Sequence, residues 1–240
     1  MPLITYRLKE RTTPTGKGIT NARRGSVEAI VKEDTHEAPA QVYCEHVARS
    51  LAALIGVPAA VGVLVAHDHG LKYASLALAQ YCMSLPDIAT ERQVERLLSR
   101  YPIECAGVFV FDLWIGNADR LGNVKAGLGK NADRIFCAID HGGALLNCRG
   151  AKEDSMEALR SNADWPRSHP FAAGVDPVDC DAMVGRIRRI DAELIHGACV
   201  VGETAGSAFV EDQEGLAEAL IERRNMLPAI VARVLKEAGR

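Results

Sequence analysis

The pattern of hydrophobic and polar positions near the N-terminus predicts a strand followed by a helix. Residues 27–32 alternate and are rich in β-branched side chains, so they are predicted to form a strand that ends at Lys32. Residues 41–55 carry apolar side chains at helical spacing, which predicts a helix with one buried face. Gly56 stands where a C-terminal cap is expected, and Pro58 prevents the helix from continuing.

The pattern in the rest of the chain is mainly helical. Residues 103–115 are almost wholly apolar, which predicts a central buried helix that is too short to span a membrane. A preceding helix is predicted to begin after Thr90, because Thr90 and Gln93 fit a capping box. Further predicted elements are a hairpin around 14–18, strands at 59–66, 71–76, 124–128 and 134–139, turns at 67–70 and 129–133, a loop-like region at 150–175, and helices around 181–195 and 215–236, the last broken or kinked near Pro228.

Composition narrows the class of protein. The chain has 240 residues, of which 48% are apolar, and this is enough for one large domain or two packed lobes. The net charge of −3 gives no electrostatic argument for general nucleic-acid binding. No apolar run reaches the roughly 20 residues of a membrane span, and the N-terminus lacks a signal-peptide pattern, so we expect no membrane insertion and a cytoplasmic location. The seven cysteines are scattered and include no C-x-x-C pair, which argues against a disulfide framework and against a zinc ribbon.

Together these elements predict an α/β (α+β) protein with two lobes. A small β-rich N-terminal lobe with one helix is expected over about residues 1–75, and a mainly helical lobe over about 76–240. The whole chain is predicted to form one domain.

The polar residues that follow the buried helix suggest a site. Asp119 and Asn123 lie in the loop after this helix, and Asp140 lies at the exit of the predicted hairpin that comes next. Because a hairpin brings its two ends together, these three side chains can converge. Phosphoryl transfer uses one carboxylate to accept a proton from the attacking hydroxyl, and a second carboxylate with an amide oxygen to hold Mg²⁺.

Two upstream residues fit the same chemistry. Lys32 ends a strand and could reach nucleotide phosphates, while Glu45 lies on the following helix and could pair with Lys32. Other interpretations stay open, since Lys32 could be an ordinary strand-end lysine and Glu45 could pair with Arg49 on the helix surface.

At these residues the chain resembles the HipA-like kinases, relatives of the HipA toxin kinase and of phosphoinositide-kinase-like folds. The resemblance rests on N-A-D-R at 117–120, on I-D-H-G at 139–142, and on the segments 45–58 and 219–228, within a range of about 27–236. It implies a two-lobed kinase with ATP and Mg²⁺ between the lobes, and a Ser or Thr hydroxyl on a protein as acceptor. The implied roles are catalytic base for Asp119, metal ligands for Asn123 and Asp140, phosphate binding for Lys32, and positioning of Lys32 by Glu45.

The sequence also departs from the family pattern. Asn123 follows Asp119 by four residues, whereas family members place the asparagine five residues after the aspartate. The glycines available to cover the phosphates are Gly16, Gly18 and Gly25, without a G-x-G-x-x-G pattern. Alternatives are therefore a pseudokinase that binds nucleotide or a partner without transfer, a small-molecule or lipid kinase, and a partner-binding module without a nucleotide site.

Several nearby polar residues have structural interpretations. Arg120 is expected to support the loop, and Asp112 to make a structural hydrogen bond from the buried helix, because an unpaired buried carboxylate is costly. His141 is expected to pack against the loop, with a metal-ligand role as the alternative. The run His67-Asp68-His69 is expected to be a solvated turn and, as the alternative, a metal site.

Overall fold

The N-terminal part of the molecule is rich in β-structure. The computed structural model describes residues 5–6, 8–14, 23–68, 70–80, 83–129, 134–161 and 168–239. The strands of this part are β1 (Thr5–Tyr6), β2 (Leu8–Pro14), β3 (Arg23–Val27), β4 (Ala29–Lys32), β5 (Gly62–His67), β6 (Gly70–Leu76), β7 (Leu78–Gln80) and β8 (Met83–Ser84). They pair antiparallel as β2–β3, β1–β7–β8 and β4–β6–β5.

The sheet β4–β6–β5 carries Lys32 and packs against helix α1 (Gln41–Ile55). In its register, Lys32 lies opposite Tyr73, which in turn lies opposite Leu64. Helix α1 has the predicted bounds and ends at Gly56, whose φ of 72° is the left-handed conformation that glycine adopts without strain. The predicted strand at 27–32 is divided between β3 and β4, which belong to different sheets.

The C-terminal part is helical and surrounds one central helix. Its helices are α2 (Glu91–Arg100), α3 (Pro102–Ile115), α4 (Lys152–Arg160), α5 (Pro177–Arg188), α6 (Ala192–Cys199) and α7 (Val210–Glu237), with the hairpin β9 (Val124–Ala126) and β10 (Phe136–Ala138) after α3. Every residue of α3 from Cys105 to Ile115 is buried, as its apolar sequence predicts. The capping box of Thr90 and Gln93 is present at the start of α2. The predicted α+β class is confirmed.

Some sequence predictions for this part are wrong. Helix α4 lies in the region predicted to be a loop. The sequence did not indicate this helix because only Ser155 and Leu159 of the polar segment are buried, and so few buried positions leave no helical apolar pattern. The region predicted as one helix around 181–195 belongs to two helices, α5 and α6. Helix α7 is not broken at Pro228 but continues through it, because apolar side chains on both sides of the proline pack into the core.

Other predictions fall partly outside the described residues. Strands β2 and β3 pair antiparallel, but residues 15–22 between them, which include the predicted turn with Gly16 and Gly18, lie outside the described ranges. His69 and residues 130–133 also lie outside them. The cysteines that the structure describes are free thiols, and all of them except Cys148 are buried. In the described part of the chain no helix is both long and apolar enough to cross a membrane.

Arg223 of α7 joins three helices from the inside of the helical part. This buried side chain donates hydrogen bonds to the carbonyl of Leu113 near the end of α3, and to those of Ala158, Leu159 and Ser161 at the end of α4. The indole N–H of Trp114 in turn donates to the carbonyl of Leu220 on α7, at 3.0 Å. The bonds from Arg223 reach carbonyls in the last turns of α3 and α4, where a helix leaves carbonyls without a partner of its own.

Replacing Arg223 should therefore destabilise the protein. We expect Arg223→Met to lower the free energy of unfolding by about 3 kcal/mol, because several buried carbonyls lose their donor. Urea denaturation followed by circular dichroism measures the change. Arg188→Met, on an exposed position of α5, is the matched control and should change the free energy by less than about 0.5 kcal/mol. Equal changes in the free energy of unfolding for the two substitutions would contradict a stabilising role of the Arg223 hydrogen bonds.

Candidate active site

Lys32 and Glu45 form an ion pair between the sheet and helix α1. Lys32 is the last residue of β4, and Glu45 lies on the second turn of α1, with only 4% of its surface exposed. The same carboxylate oxygen of Glu45, Oε1, accepts hydrogen bonds from the backbone N–H groups of His141 (2.9 Å) and Gly142 (3.1 Å). Glu45 thus joins Lys32 to the segment that follows Asp140.

Asp140 is the second partner of Lys32. The Nζ atom of Lys32 lies 2.7 Å from Oδ1 of Asp140, so one ammonium group contacts two carboxylates. Burial raises the pKa of Glu45, and although Lys32 opposes this effect, the pKa stays above its ordinary value. Partial burial also acts to raise the pKa of Asp140, but here Lys32 prevails and the pKa is lowered. At neutral pH Asp140 is therefore an ionised carboxylate, and 45% of its side chain is exposed.

The loop with Asp119 and Asn123 is a tight turn. The N–H of Asn123 donates to the carbonyl of Arg120 at 3.0 Å, and Gly122, between them, has a φ of 88°. Glycine is favoured there because a side chain is strained at such an angle. The turn brings the amide of Asn123 back to Asp119, since Nδ2 donates to the backbone carbonyl (2.8 Å) and to Oδ2 (3.1 Å) of that residue.

The backbone places Asn123 beside the residue that precedes Asp140. The N–H of Ile139 donates to the carbonyl of Asn123 at 3.0 Å, which continues the β9–β10 pairing by one step. Asp140 itself has a φ of 53°, a left-handed conformation that aspartate tolerates better than most residues. The structure therefore brings the five predicted site residues into two contacting groups, Lys32 with Glu45 and Asp140, and Asp119 with Asn123, joined through Ile139.

A buried ion pair supports the loop from below. Arg120 contacts Asp112 of α3 through two hydrogen bonds, of 2.7 Å from Nε and 2.8 Å from an Nη atom, and neither side chain is exposed. The other Nη atom of Arg120 donates to the carbonyls of Asn123 (2.7 Å) and Ile139 (2.8 Å). The expected structural roles of Asp112 and Arg120 are confirmed, because both side chains are fully buried and their hydrogen bonds hold the loop.

His169 completes this buried cluster. Its Nε2 atom lies 3.0 Å from Oδ2 of Asp112, and its Nδ1 accepts a hydrogen bond from the N–H of Phe171. Burial by itself would raise the pKa of Asp112, but Arg120 and His169 lower it well below its usual range, so the carboxylate is ionised. Burial lowers the pKa of His169, although Asp112 opposes this shift. No pattern in the sequence indicated a role for His169, which lies 57 residues after Asp112.

His141 is buried next to the site but faces the core. Its ring packs edge-on against Phe111 of α3, with 5.9 Å between the ring centroids. Burial lowers its pKa to about 3, so the ring is neutral at physiological pH. Its Nε2 atom has no hydrogen-bond partner among the described residues. His141 therefore has a packing role, and its ring contact is with the central helix α3, whereas the sequence predicted packing against the loop.

Two hollows flank the loop. A small one of about 110 Å³ is lined by Lys32 and Asp140 together with Ile30, Leu78, Lys125 and Ile139. A cleft of about 730 Å³ lies on the side of Asp119. The sequence did not indicate that Ile30, Leu78, Lys125 and Ile139 would line the small hollow. Ile30 could have been predicted, because residues two apart in a strand lie on the same face and Ile30 is two residues before Lys32.

The donor set at the site suits a hard divalent cation. Asp140 supplies a carboxylate and Asn123 an amide, and oxygen atoms of these two kinds are ligands that Mg²⁺ accepts, with water and phosphate oxygens completing the shell. Within the described ranges no group of three or more His, Cys, Asp or Glu side chains could form an all-protein metal site.

Comparisons with known proteins agree with this geometry at the level of the fold. No protein-family model matches the chain, and no curated protein matches its sequence. Among solved structures, the chain is similar to the crystal structure of the Helicobacter pylori proinflammatory kinase CtkA, with a TM-score of 0.61 and 20% sequence identity over 95% of this chain and 96% of that one. The likeness confirms the predicted kinase-like fold, with its β-rich N-terminal part and helical C-terminal part, while membership of the HipA-like family stays a prediction.

Proposed function

We propose that this chain is a phosphotransferase of the HipA-like kinase type that uses ATP and Mg²⁺ and phosphorylates a Ser or Thr hydroxyl on a protein. The observation that carries the proposal is the contact of Lys32 with both Glu45 and Asp140, next to the turn that joins Asp119 and Asn123. A strand lysine paired with a helix glutamate, and an aspartate after a hairpin, are the parts that kinases use to hold the phosphates.

The small hollow supports nucleotide binding. Its apolar lining by Ile30, Leu78 and Ile139 suits an adenine ring, while Lys32 in the same lining suits the phosphates. Lys125 adds a second ammonium group in the same lining, and its Nζ is held 2.8 Å from Asp87. Because the glycines at 16 and 18 lie outside the described residues, the part of the chain that covers the phosphates stays open.

Asp140 and Asn123 would supply protein ligands for Mg²⁺, which neutralises phosphate charge during transfer. Lys32 now contacts Asp140 at 2.7 Å, so nucleotide binding would move the ammonium group from this carboxylate to the phosphates. Glu45 would retain Lys32 in this exchange, because it is buried and fixed by two backbone N–H groups. The acidic side chain of Asp140 would then be free for a cation.

Asp119 would act as the general base. Its carboxylate is exposed, and the amide of Asn123 orients it through a 3.1 Å hydrogen bond. In the transfer step the acceptor oxygen forms a bond to the γ-phosphorus, the bond from this phosphorus to the β–γ bridging oxygen breaks, and ADP leaves. The hydroxyl proton passes to Asp119.

A pseudokinase is the second candidate function. The observation that favours it is the four-residue spacing from Asp119 to Asn123, together with the use of the Asn123 amide as a donor to Asp119. A chain of this kind would bind Mg-ATP without transfer. Incubation with γ-labelled ATP and candidate acceptor proteins separates the two functions, since only a kinase transfers label.

The first prediction for this site concerns Lys32. We expect Lys32→Ala to weaken ATP binding at least about tenfold, because a charge-assisted phosphate contact is lost. Isothermal titration calorimetry measures the affinity, and Lys72→Ala, a lysine of the same sheet paired with Glu33, is the matched control. Lys32→Ala leaves the buried carboxylate of Glu45 without its cation, which could destabilise the fold. The double variant Lys32→Ala with Glu45→Gln removes that unpaired charge, so a loss of ATP affinity in both variants is not caused by misfolding. Unchanged affinity in both variants would refute the role of Lys32.

The second prediction concerns Asp140. We expect Asp140→Asn to remove the dependence of ATP affinity on Mg²⁺, because a neutral amide is a weak substitute for a carboxylate on a hard cation. Calorimetric titrations with Mg²⁺ and with EDTA measure this difference. The control is Asp154→Asn on the exposed face of α4, which should keep the wild-type dependence. A wild-type response of Asp140→Asn to Mg²⁺ would exclude Asp140 as a ligand.

The third prediction concerns Asp119 and decides between the two functions. We expect Asp119→Asn to retain ATP binding and to lower phosphoryl transfer by about 10²–10⁴-fold, the usual contribution of a positioned base. Label transfer from γ-labelled ATP is the measurement, with Asp181→Asn on the exposed face of α5 as the control. Loss of both ATP binding and thermal stability would assign Asp119 a structural role. A wild-type chain that binds Mg-ATP but labels no acceptor would favour the pseudokinase.

A further inference from the structure

The cleft beside Asp119 has three walls. Helix α2 forms one wall, the turn that carries Asp119 and Leu121 forms the second, and residues 168–174 form the third. Its volume of about 730 Å³ is within the range of ligand-binding clefts. It is separate from the small hollow with Lys32, because the two hollows share no lining residue.

Backbone hydrogen bonds hold α2 against the turn. The N–H of Gly122 donates to the carbonyl of Ile88 at 2.8 Å, and the N–H of Ile88 donates to the carbonyl of Val124 at 3.0 Å. Thr90 then caps α2, so the helix starts beside the turn that holds Asp119. The face of α2 that lines the cleft is thereby fixed relative to Asp119.

This face of α2 is acidic at its exposed edge. Glu91 and Glu95 are four residues apart, so they lie on the same side of the helix, and both line the cleft and are exposed. Neither forms an ion pair with a Lys or Arg of the described residues, and the same is true of Asp119. Arg96 of the same helix donates to the carbonyl of Leu128 and does not line the cleft.

The floor of the cleft is apolar. Val94 and Leu98 of α2 line it, and Leu121 of the turn joins them with 51% of its surface exposed. An apolar floor below a carboxylate edge suits arginine and lysine side chains, whose methylene stems pack on apolar surface while their charged ends stay at the edge.

We propose that this cleft binds the acceptor, and that the acceptor is a peptide segment with arginine or lysine close to the Ser or Thr that is phosphorylated. The inference rests on the proposed function, since Asp119 at the cleft is taken as the base. Three carboxylates without a described counter-ion make the described lining of the cleft negative, and a cationic segment complements this charge. An anionic acceptor such as a phosphorylated lipid headgroup would be repelled, which argues against the lipid-kinase alternative.

Binding of labelled peptides by the full chain tests the proposal without requiring phosphoryl transfer. The probes are a short peptide with one serine between arginines and the same peptide with glutamine in place of each arginine. Fluorescence anisotropy measures their dissociation constants in the presence of Mg²⁺ and a non-hydrolysable ATP analogue. We expect the arginine peptide to bind about tenfold more tightly at low salt, because exposed ion pairs contribute modestly and are screened by salt.

Variants of α2 locate the source of this preference. Glu91→Gln with Glu95→Gln should reduce the preference to less than about twofold. Glu193→Gln with Glu157→Gln makes the same change in charge at exposed helix positions away from the cleft and should retain it. Glu91→Lys with Glu95→Lys should reverse the preference toward a peptide with glutamates in place of the arginines, and unfolding temperatures of all variants verify that they fold.

The outcomes separate this inference from the proposed function. Equal binding of the two peptides by the wild-type chain, binding of neither, or an arginine preference that survives Glu91→Gln with Glu95→Gln would each overturn the inference. Tighter binding of a small amino alcohol than of the arginine peptide would overturn it too. If the arginine preference depends on Glu91 and Glu95 but no acceptor is ever labelled from ATP, the inference is retained as peptide docking and the proposed transfer fails.

Discussion

The buried ion pair between Asp112 and Arg120 is the contact on which the geometry of the site depends. Two fully buried charges are costly to remove from water, and they are tolerated here because the guanidinium group meets the carboxylate through two hydrogen bonds. The remaining donors of Arg120 bind the carbonyls of Asn123 and Ile139. One side chain therefore joins the central helix, the turn and the exit of the hairpin, and a lysine lacks the planar set of donors for these contacts.

Glu45 fixes the same region from the opposite side. Arg120 donates a hydrogen bond to the carbonyl of Ile139, and Glu45 accepts hydrogen bonds from the N–H groups of His141 and Gly142. The backbone on both sides of Asp140 is therefore fixed by hydrogen bonds. Between these supports Asp140 keeps a left-handed backbone and a partly exposed carboxylate. Backbone strain of this kind persists only where surrounding contacts enforce it, and it is common at functional sites.

The two hollows differ in the charged residues that line them. The small hollow is lined by Lys32 and Lys125 with a single carboxylate, whereas the larger cleft is lined by Glu91, Glu95 and Asp119 itself. Under the proposed function, the ammonium groups of the small hollow would favour a phosphate-bearing ligand, and the carboxylates of the cleft would disfavour one. This difference in charge gives a physical reason for a nucleotide and an acceptor to occupy different hollows.

The sequence by itself determined the local elements and the order of the site residues. Helix α1 and its glycine cap, the capped start of α2, and the apolar α3 follow from periodicity and capping, which act within a few residues. The polar helix α4 was not predicted, because its few buried positions leave almost no periodic signal.

Only the tertiary structure decided how the site residues contact one another. The sequence suggested that Lys32 could reach Glu45 but not that it also contacts Asp140, and it gave no sign that His169 would join Asp112 or that α2 would present Glu91 and Glu95 beside Asp119. These contacts join residues far apart in the chain. Their free energy comes from packing, from the burial of charge and from paired hydrogen bonds, and no local pattern of residues encodes those terms.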